Sequence, residues 1–417
     1  MEAVHRLKIP ANVAVSVGDS TDPRLLRRGV EILLEDKLGI PNFLGVDQTI
    51  QGFARNGYAI ELCRERTYNG CHWNAIPGRE YCLNDIVKVI LPSIFDVALR
   101  DMMADSTITP SVIELWKQFE RHLRRAVEVL AEGIDFHMEH MAEVIPELVL
   151  SLLCYGTIEK GLDASGGGVE FYNIGIDAAG LADVANAFAA IEQRIELEKR
   201  LTWGELLHHL DTNWSDHGGE MIRLMMKGVP RFGSGGSCAD TYAVRISHLF
   251  TALVKEKPTP RGYNLIPGLF SWADMIRYGK MLGATPDGRR AEEPIAQGAN
   301  PSPGFRKDGA PTALAVAIAA VQPGYGNTAP MQIDLEPTIS REDNAVDLLI
   351  SLIKSHFDLG GTQINMNILD KQKILEAHKD PSKYPDLIVR VTGFSAYFAS
   401  LSPEFRQLVV DRIITQY

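Results

Sequence analysis

The chain has 417 residues, 45% of them hydrophobic and 23% charged, enough apolar material to bury a sizeable core in one large domain or two ordinary ones. A formal net charge of −11 argues against nucleic acid or anionic membrane as the main partner. No apolar run reaches the ~18 residues that a membrane-spanning helix requires, and Met1–Pro10 is mixed and charged, unlike a secretory signal. The five cysteines (Cys63, Cys71, Cys82, Cys154, Cys238) are odd in number and include no CxxC pair. That usage fits a reducing cytoplasm, with neither a disulfide framework nor structural zinc.

In chain order, residues 10–17 alternate and are β-branched, which predicts a strand. Asp22 to Glu35 carries apolar residues at helical spacing, and Asp22 ahead of Pro23 marks the helix start. Further helices are predicted over 46–56 and 59–65. The run Tyr68-Asn69-Gly70-Cys71-His72-Trp73-Asn74-Ala75-Ile76-Pro77-Gly78 then reads as a loop between helical segments. A free cysteine in such a loop is more often a small buried hydrophobe than a reagent. Glu114–Arg125 and Ile191–Arg200 are amphipathic, with polar faces for solvent. Gly166–Gly168 is no phosphate cradle, because no Lys-Ser/Thr follows it. His208, His209 and His217 crowd around Trp214 without a carboxylate or cysteine at ligand spacing, so they read as solvated helix-end histidines and no metal is expected. Thr285-Pro286-Asp287-Gly288 is a turn by its chemistry. Near the C-terminus, Leu387 to Val391, broken only by Arg390, predicts a buried strand that stops at Gly393 and resumes with aromatic side chains. On local grounds such a glycine marks a tight turn or a close backbone approach.

The wider pattern gives Gly393 another role. Arg390-Val391-Thr392-Gly393-Phe394-Ser395-Ala396-Tyr397-Phe398 resembles the signature of the glycyl-radical enzymes, the pyruvate formate-lyase-like family, whose central glycine stores an unpaired electron. The residue type has a physical reason. A radical at the α-carbon is flanked by a donating amide nitrogen and a withdrawing carbonyl, and delocalisation needs a planar centre that a Cβ would crowd. The Gly70-Cys71 loop resembles the one that carries the family's catalytic cysteine. Gly166–Asn173 with the helix after it, Gly283–Arg290, Asn300–Gly304 and Gly360–Asn367 resemble further family segments in the right order.

The resemblance implies an α/β fold: half of a ten-stranded barrel with surrounding helices, covering a cysteine-loop region (1–275) and a glycine radical domain (276–417). An open half-barrel exposes strand edges, so a second subunit is expected to supply the N-terminal half, and Met1 favours a separate polypeptide over a lost segment. A radical S-adenosylmethionine activase with an iron–sulfur cluster is expected to install the radical at Gly393, with no bound cofactor. Gly393 then converts Cys71 to a thiyl, which takes a hydrogen from a small organic substrate. Two departures from the family pattern narrow the reaction. Cys71 is followed by His72 rather than a second cysteine, which disfavours acyl transfer. Trp73 occupies the place where the family's dehydratases usually carry a glutamate base. His72 is the local candidate base, with a structural role or a carboxylate on the missing half as alternatives, and Trp73 is the candidate pocket wall. A cytoplasmic lyase breaking a C–O, C–N, C–S or C–C bond is therefore expected. The alternatives are radical addition to an alkene such as fumarate, and a non-catalytic radical carrier, which Cys71 argues against.

Overall fold

The computed structural model describes residues 1–270, 273–305 and 311–415. The chain runs through β1 (Ala14–Val17), β2 (Asn42–Gly45), a short hairpin of β3 (Thr67–Asn69) and β4 (Trp73–Ala75), then β5 (Glu80–Ile90), β6 (Phe171–Ala179), β7 (Asn264–Gly268), β8 (Pro330–Leu335), β9 (Gln363–Ile368) and a closing hairpin of β10 (Ile388–Arg390) and β11 (Ser395–Tyr397). Two sheets form a wall, one in the order β1-β2-β9-β8 and the other β5-β6-β7. Every pairing in the wall is parallel except β2 with β9. At the seam between the sheets Asn327, just before β8, donates from Nδ2 to Asp177 Oδ1 of β6 at 3.4 Å. Among the described residues β1 and β8 are the end strands of the first sheet and β5 and β7 of the second.

The strands sort their side chains by parity, as a pleat demands. Tyr81, Val87 and Val89 of β5, Ile174, Ile176 and Ala178 of β6, Met331 and Ile333 of β8, and Ile364, Met366 and Ile368 of β9 join the main hydrophobic core. That face is covered by helices. Phe95 (helix Leu91–Ala104), Phe119 (helix Val112–Val144), Phe188 (helix Leu181–Ile191) and Tyr242 (helix Cys238–Lys255) stack there, with Phe188 and Tyr242 ring centroids 4.9 Å apart. The alternate residues are polar and equally buried: Glu80, Asn173, Asp177, Gln332, Asp334, Gln363, Asn365 and Asn367. A strand buried on both faces, with hydrocarbon on one and amides or acids on the other, is the wall of a barrel with a polar interior.

The helix expected over 22–35 is Pro23–Asp36, and Asp22 caps it by accepting from the Arg24 amide at 2.8 Å. The helices expected over 46–56 and 59–65 are Val46–Ala54 and Ile60–Arg64. The strand expected over 10–17 contracts to Ala14–Val17, because its one partner, β2, is only four residues long. Glu114–Arg125 lies inside the 33-residue helix Val112–Val144. The region 191–200 continues the helix Leu181–Ile191 into a π-turn over Glu192–Leu197. The histidine group needs a correction: Asp216 lies 2.8 Å from His209 and 3.8 Å from His208, a carboxylate partner the spacing did not reveal. Among the described residues no helix is long and apolar enough to cross a membrane.

Candidate active site

The cysteine loop is not a connection between helices but the tip of a hairpin. Asn69 pairs with Trp73, leaving Gly70, Cys71 and His72 to make the turn. A turn this tight needs left-handed backbone: Gly70 has φ 48° and His72 φ 80°. Glycine takes that conformation freely, whereas a β-carbon at residue 72 is strained. The strain is held from both sides: the His72 amide donates to the Asn69 carbonyl at 2.8 Å, and Thr328 Oγ1 donates to the His72 carbonyl at 3.2 Å. Asn74, one residue into β4, is anchored to the Gly326 carbonyl.

Gly393 sits at a second tip. Ile388 to Arg390 pair antiparallel with Ser395 to Tyr397, and the Val391 amide donates to the Phe394 carbonyl at 3.0 Å across the turn. The glycine is buried and Phe394 beside it is exposed. A β-carbon placed on Gly393 would lie 2.6 Å from both Sγ and Cβ of Cys71, and 3.4 Å from Cε1 of Phe270. With a carbon–carbon bond of about 1.5 Å, the sulfur is then no more than about 4 Å from the Gly393 α-carbon. The two residues 322 positions apart in sequence are in contact, and the contact exists only because residue 393 has no side chain.

Trp73 lies beside this pair. Its ring centroid is 4.7 Å from that of Phe270, and both pack with Met275, Tyr278 and Ile295, with Cys71 at the edge of the cluster. At 4% exposure the indole is a wall already covered within this chain. His72 is also buried, and its Nδ1 is 3.3 Å from Gln363 Nε2. Burial, then the Arg390 charge, hold its imidazole down to about 4, partly offset by a hydrogen bond with the Cys71 backbone. It is therefore neutral at pH 7 and a weak base. Glu80, at the start of β5, accepts from the Ile76 amide at 2.6 Å, and burial pushes its carboxyl up to about 7.

Sequence reasoning did not single out Phe270, Glu80 or Arg390. Arg390 seemed to interrupt a strand, yet it is fully buried, with its pKa lowered to about 10 by desolvation. Among the described residues no carboxylate pairs with it. The hint was a cation inside an otherwise apolar five-residue run. A separate cavity of about 350 Å³, lined by Asp183, Arg231, Asp287, Gln332 and Arg412 among others, does not include Cys71 or Gly393.

Known proteins resemble this chain over nearly its full length. A family model described as pyruvate formate lyase-like matches residues 1–279, and one described as glycine radical matches residues 295–399. Trans-4-hydroxy-L-proline dehydratase of Clostridioides difficile is 26% identical over 423 residues, covering 99% of this chain and 53% of that protein. Isethionate sulfite-lyase of Oleidesulfovibrio alaskensis is 23% identical, covering 90% of this chain and 47% of its own length. The glycerol-bound B12-independent glycerol dehydratase from Clostridium butyricum superposes with a TM-score of 0.89 at 27% identity, covering 99% of this chain and 53% of that one. The chain thus spans about half the length of the relatives it matches, and its strand wall is half of their barrel. With a thiol touching a buried glycine inside that wall, and both family models matching in their expected order, the chain belongs to the pyruvate formate-lyase-like glycyl-radical enzymes.

Proposed function

We propose that the chain is the reactive half of a glycyl-radical lyase, in which Gly393 stores the radical and Cys71 delivers it. The observation that carries this reading is the contact between Cys71 Sγ and the space a Gly393 side chain would fill. A radical S-adenosylmethionine activase removes one α-hydrogen from Gly393. The Gly393 radical takes the hydrogen atom from the Cys71 thiol, leaving a thiyl, and the thiyl takes a hydrogen atom from a substrate carbon. The carbon radical expels a leaving group from its neighbour, and the product radical recovers the hydrogen from Cys71. Each hop requires near-contact of the reacting atoms and an absence of water. The Trp73–Phe270 wall supplies the dry side.

The named relatives are a hydroxyproline dehydratase and a sulfite-lyase, so the class of substrate supported here is a small molecule with a hydroxyl or sulfonate leaving group beside an activated C–H. A neutral His72 with its ring against Gln363 supports the turn more readily than it takes a proton. The group that protonates the leaving group is assigned to the other half of the barrel, contributed by a second subunit along the free sides of β1 and β5.

Anaerobic activation with the cognate activase tests this. Electron paramagnetic resonance should show an organic doublet that collapses when glycine is deuterated at Cα. Cys71→Ser should keep that signal and lose turnover to background. A signal indifferent to the glycine label, or turnover that survives Cys71→Ser, would refute the assignment.

A further inference from the structure

The two tips meet without sharing a hydrophobic core. The glycine hairpin packs through Val389, Val391 and Phe398 onto Ile374, Val409 and Ile413, whereas Cys71 and Trp73 belong to the Phe270 cluster. Polar groups join them, and they form a closed circuit. On one side of Cys71, His72 Nδ1 faces Gln363 Nε2 at 3.3 Å, and Gln363 Nε2 also donates to Asn365 Oδ1 at 3.0 Å. Asn365 donates in turn to the Thr392 carbonyl, next to Gly393, at 3.4 Å. With its amide oriented to satisfy both neighbours, Asn42 donates to Asn365 Oδ1 at 3.1 Å and accepts from Arg390 Nη2 at 3.0 Å and Nη1 at 3.2 Å. Arg390 Nη1 also donates to Asn12 Oδ1 at 2.9 Å, and Asn12 Nδ2 donates to the Gly70 carbonyl at 2.8 Å, on the other side of Cys71. A fifth amide, Asn367, clasps the Arg390 backbone, accepting from its N–H at 2.7 Å and donating to its carbonyl at 3.0 Å.

Both neighbours of Cys71 are therefore tied to the strand that leads into Gly393, one through the Thr392 carbonyl and the other through Arg390. The choice of side chains has a chemical reason. An amide donates and accepts at once, so one side chain can bridge two loops, whereas a carboxylate only accepts. The guanidinium offers several donors in a rigid fork, so its position is fixed by more than one bond. Gln363, Asn365 and Asn367 alternate along β9, so one strand face reads both tips in register. Asn12, from the segment before β1, closes the ring.

We infer that this amide circuit around Arg390 is positioning machinery for the hydrogen hop between Cys71 and Gly393, with Asn12, Asn365 and Arg390 as its positioning residues. The inference rests on the radical assignment above and goes beyond it by naming what sets the hop distance. A displacement of about 1 Å at a reacting pair is worth about 100-fold in rate. Loss of the circuit should therefore slow the hop strongly without touching the atoms that react.

The hop can be read without substrate. A thiol hydrogen exchanges with solvent, whereas a carbon-bound one does not. In D2O the Gly393 radical takes deuterium from Cys71, and the thiyl returns either isotope to itself, so the α-hydrogen doublet collapses at a rate set by the hop. Asn12 is exposed, so Asn12→Ala should fold and activate normally. Its doublet collapse should be about 10- to 100-fold slower than wild type at equal radical yield, and Asn12→Gln, which can remake both bonds, should recover part of the rate. Arg390→Lys keeps the buried charge but loses the fork, and should be slow as well. Either Asn12→Ala or Arg390→Lys carrying a full radical and collapsing at the wild-type rate overturns the inference. Collapse that persists in Cys71→Ala would instead refute the relay itself, and the two failures are distinct.

Discussion

The thiol hairpin and the glycine hairpin solve opposite problems with the same motif. The thiol tip is wedged into the body of the chain: Trp73 is buried against Phe270, Asn74 holds the Gly326 carbonyl, and Thr328 holds the His72 carbonyl. The glycine tip rides on a small core of its own, built with helices Lys371–Lys379 and Pro403–Thr415. Arg412 of the second helix donates to the Val391 carbonyl at 2.6 Å and the Arg390 carbonyl at 3.0 Å, and its Nε lies 3.1 Å from Asp334 of β8. One tip is thus fixed by a small hydrophobic cluster that includes Ala179 of β6, together with hydrogen bonds to the segment before β8. The other is a separate apolar unit fastened to the wall by hydrogen bonds. Under the roles proposed above, the first arrangement suits a residue that presents its sulfur to substrate and the second a residue that stores the electron.

The sharpest way to break the comparison is Gly393→Ala. It should abolish the paramagnetic signal completely, because the β-carbon both crowds a planar radical and meets Cys71 at 2.6 Å. The steric overlap alone should destabilise the protein by about 1–3 kcal/mol, measurable by denaturant unfolding. After that complete loss of signal, the largest effect on stability is that of Trp73→Ala, which removes a 4% exposed side chain from the Phe270 cluster and should cost about 3–5 kcal/mol. The loss should fall on the main body, with amide exchange over residues 388–397 unaffected. Equal loosening of both hairpins would show that they are one unit.

The smallest effect concerns pH. The His72 imidazole is held at about 4 in the folded chain, against an ordinary 6.5 when unfolded. Between those values the unfolded state binds the extra proton, so stability falls as pH drops from 6.5 towards 4. His72→Gln lacks that dependence. The stability difference between wild type and variant should therefore shift against wild type by up to about 3 kcal/mol from pH 7 to pH 4, read from urea midpoints at each pH. His356, buried and lowered to about 4 in the same way, leaves a residual slope in both proteins.

What could be read from the sequence was what is local. The cap at Asp22, the helix it starts and the buried strand ahead of Gly393 follow from residues a few positions apart. The thiol hairpin was misread as a loop because its strands are three residues each, too short to show a period of two. Arg390 looked like a flaw in a strand because its partners, Asn12 and Asn42, lie more than 300 residues away. Gln363, Asn365 and Asn367 alternate visibly with Ile364 and Met366, which marks a strand. That both faces are buried, one of them among amides, depends on a barrel interior that no local window contains.

The separate core behind Gly393 has an energetic corollary. Drawing that unit away from the wall would uncover amides, carbonyls and a guanidinium rather than hydrocarbon. Water solvates such groups well, so each neutral bond surrendered is worth about 0.5–1.5 kcal/mol net and each guanidinium bond about 1.5–3 kcal/mol. On the radical assignment proposed above, the carbon that would carry the electron therefore sits on a unit whose own core is separate from the helix-covered side of the wall.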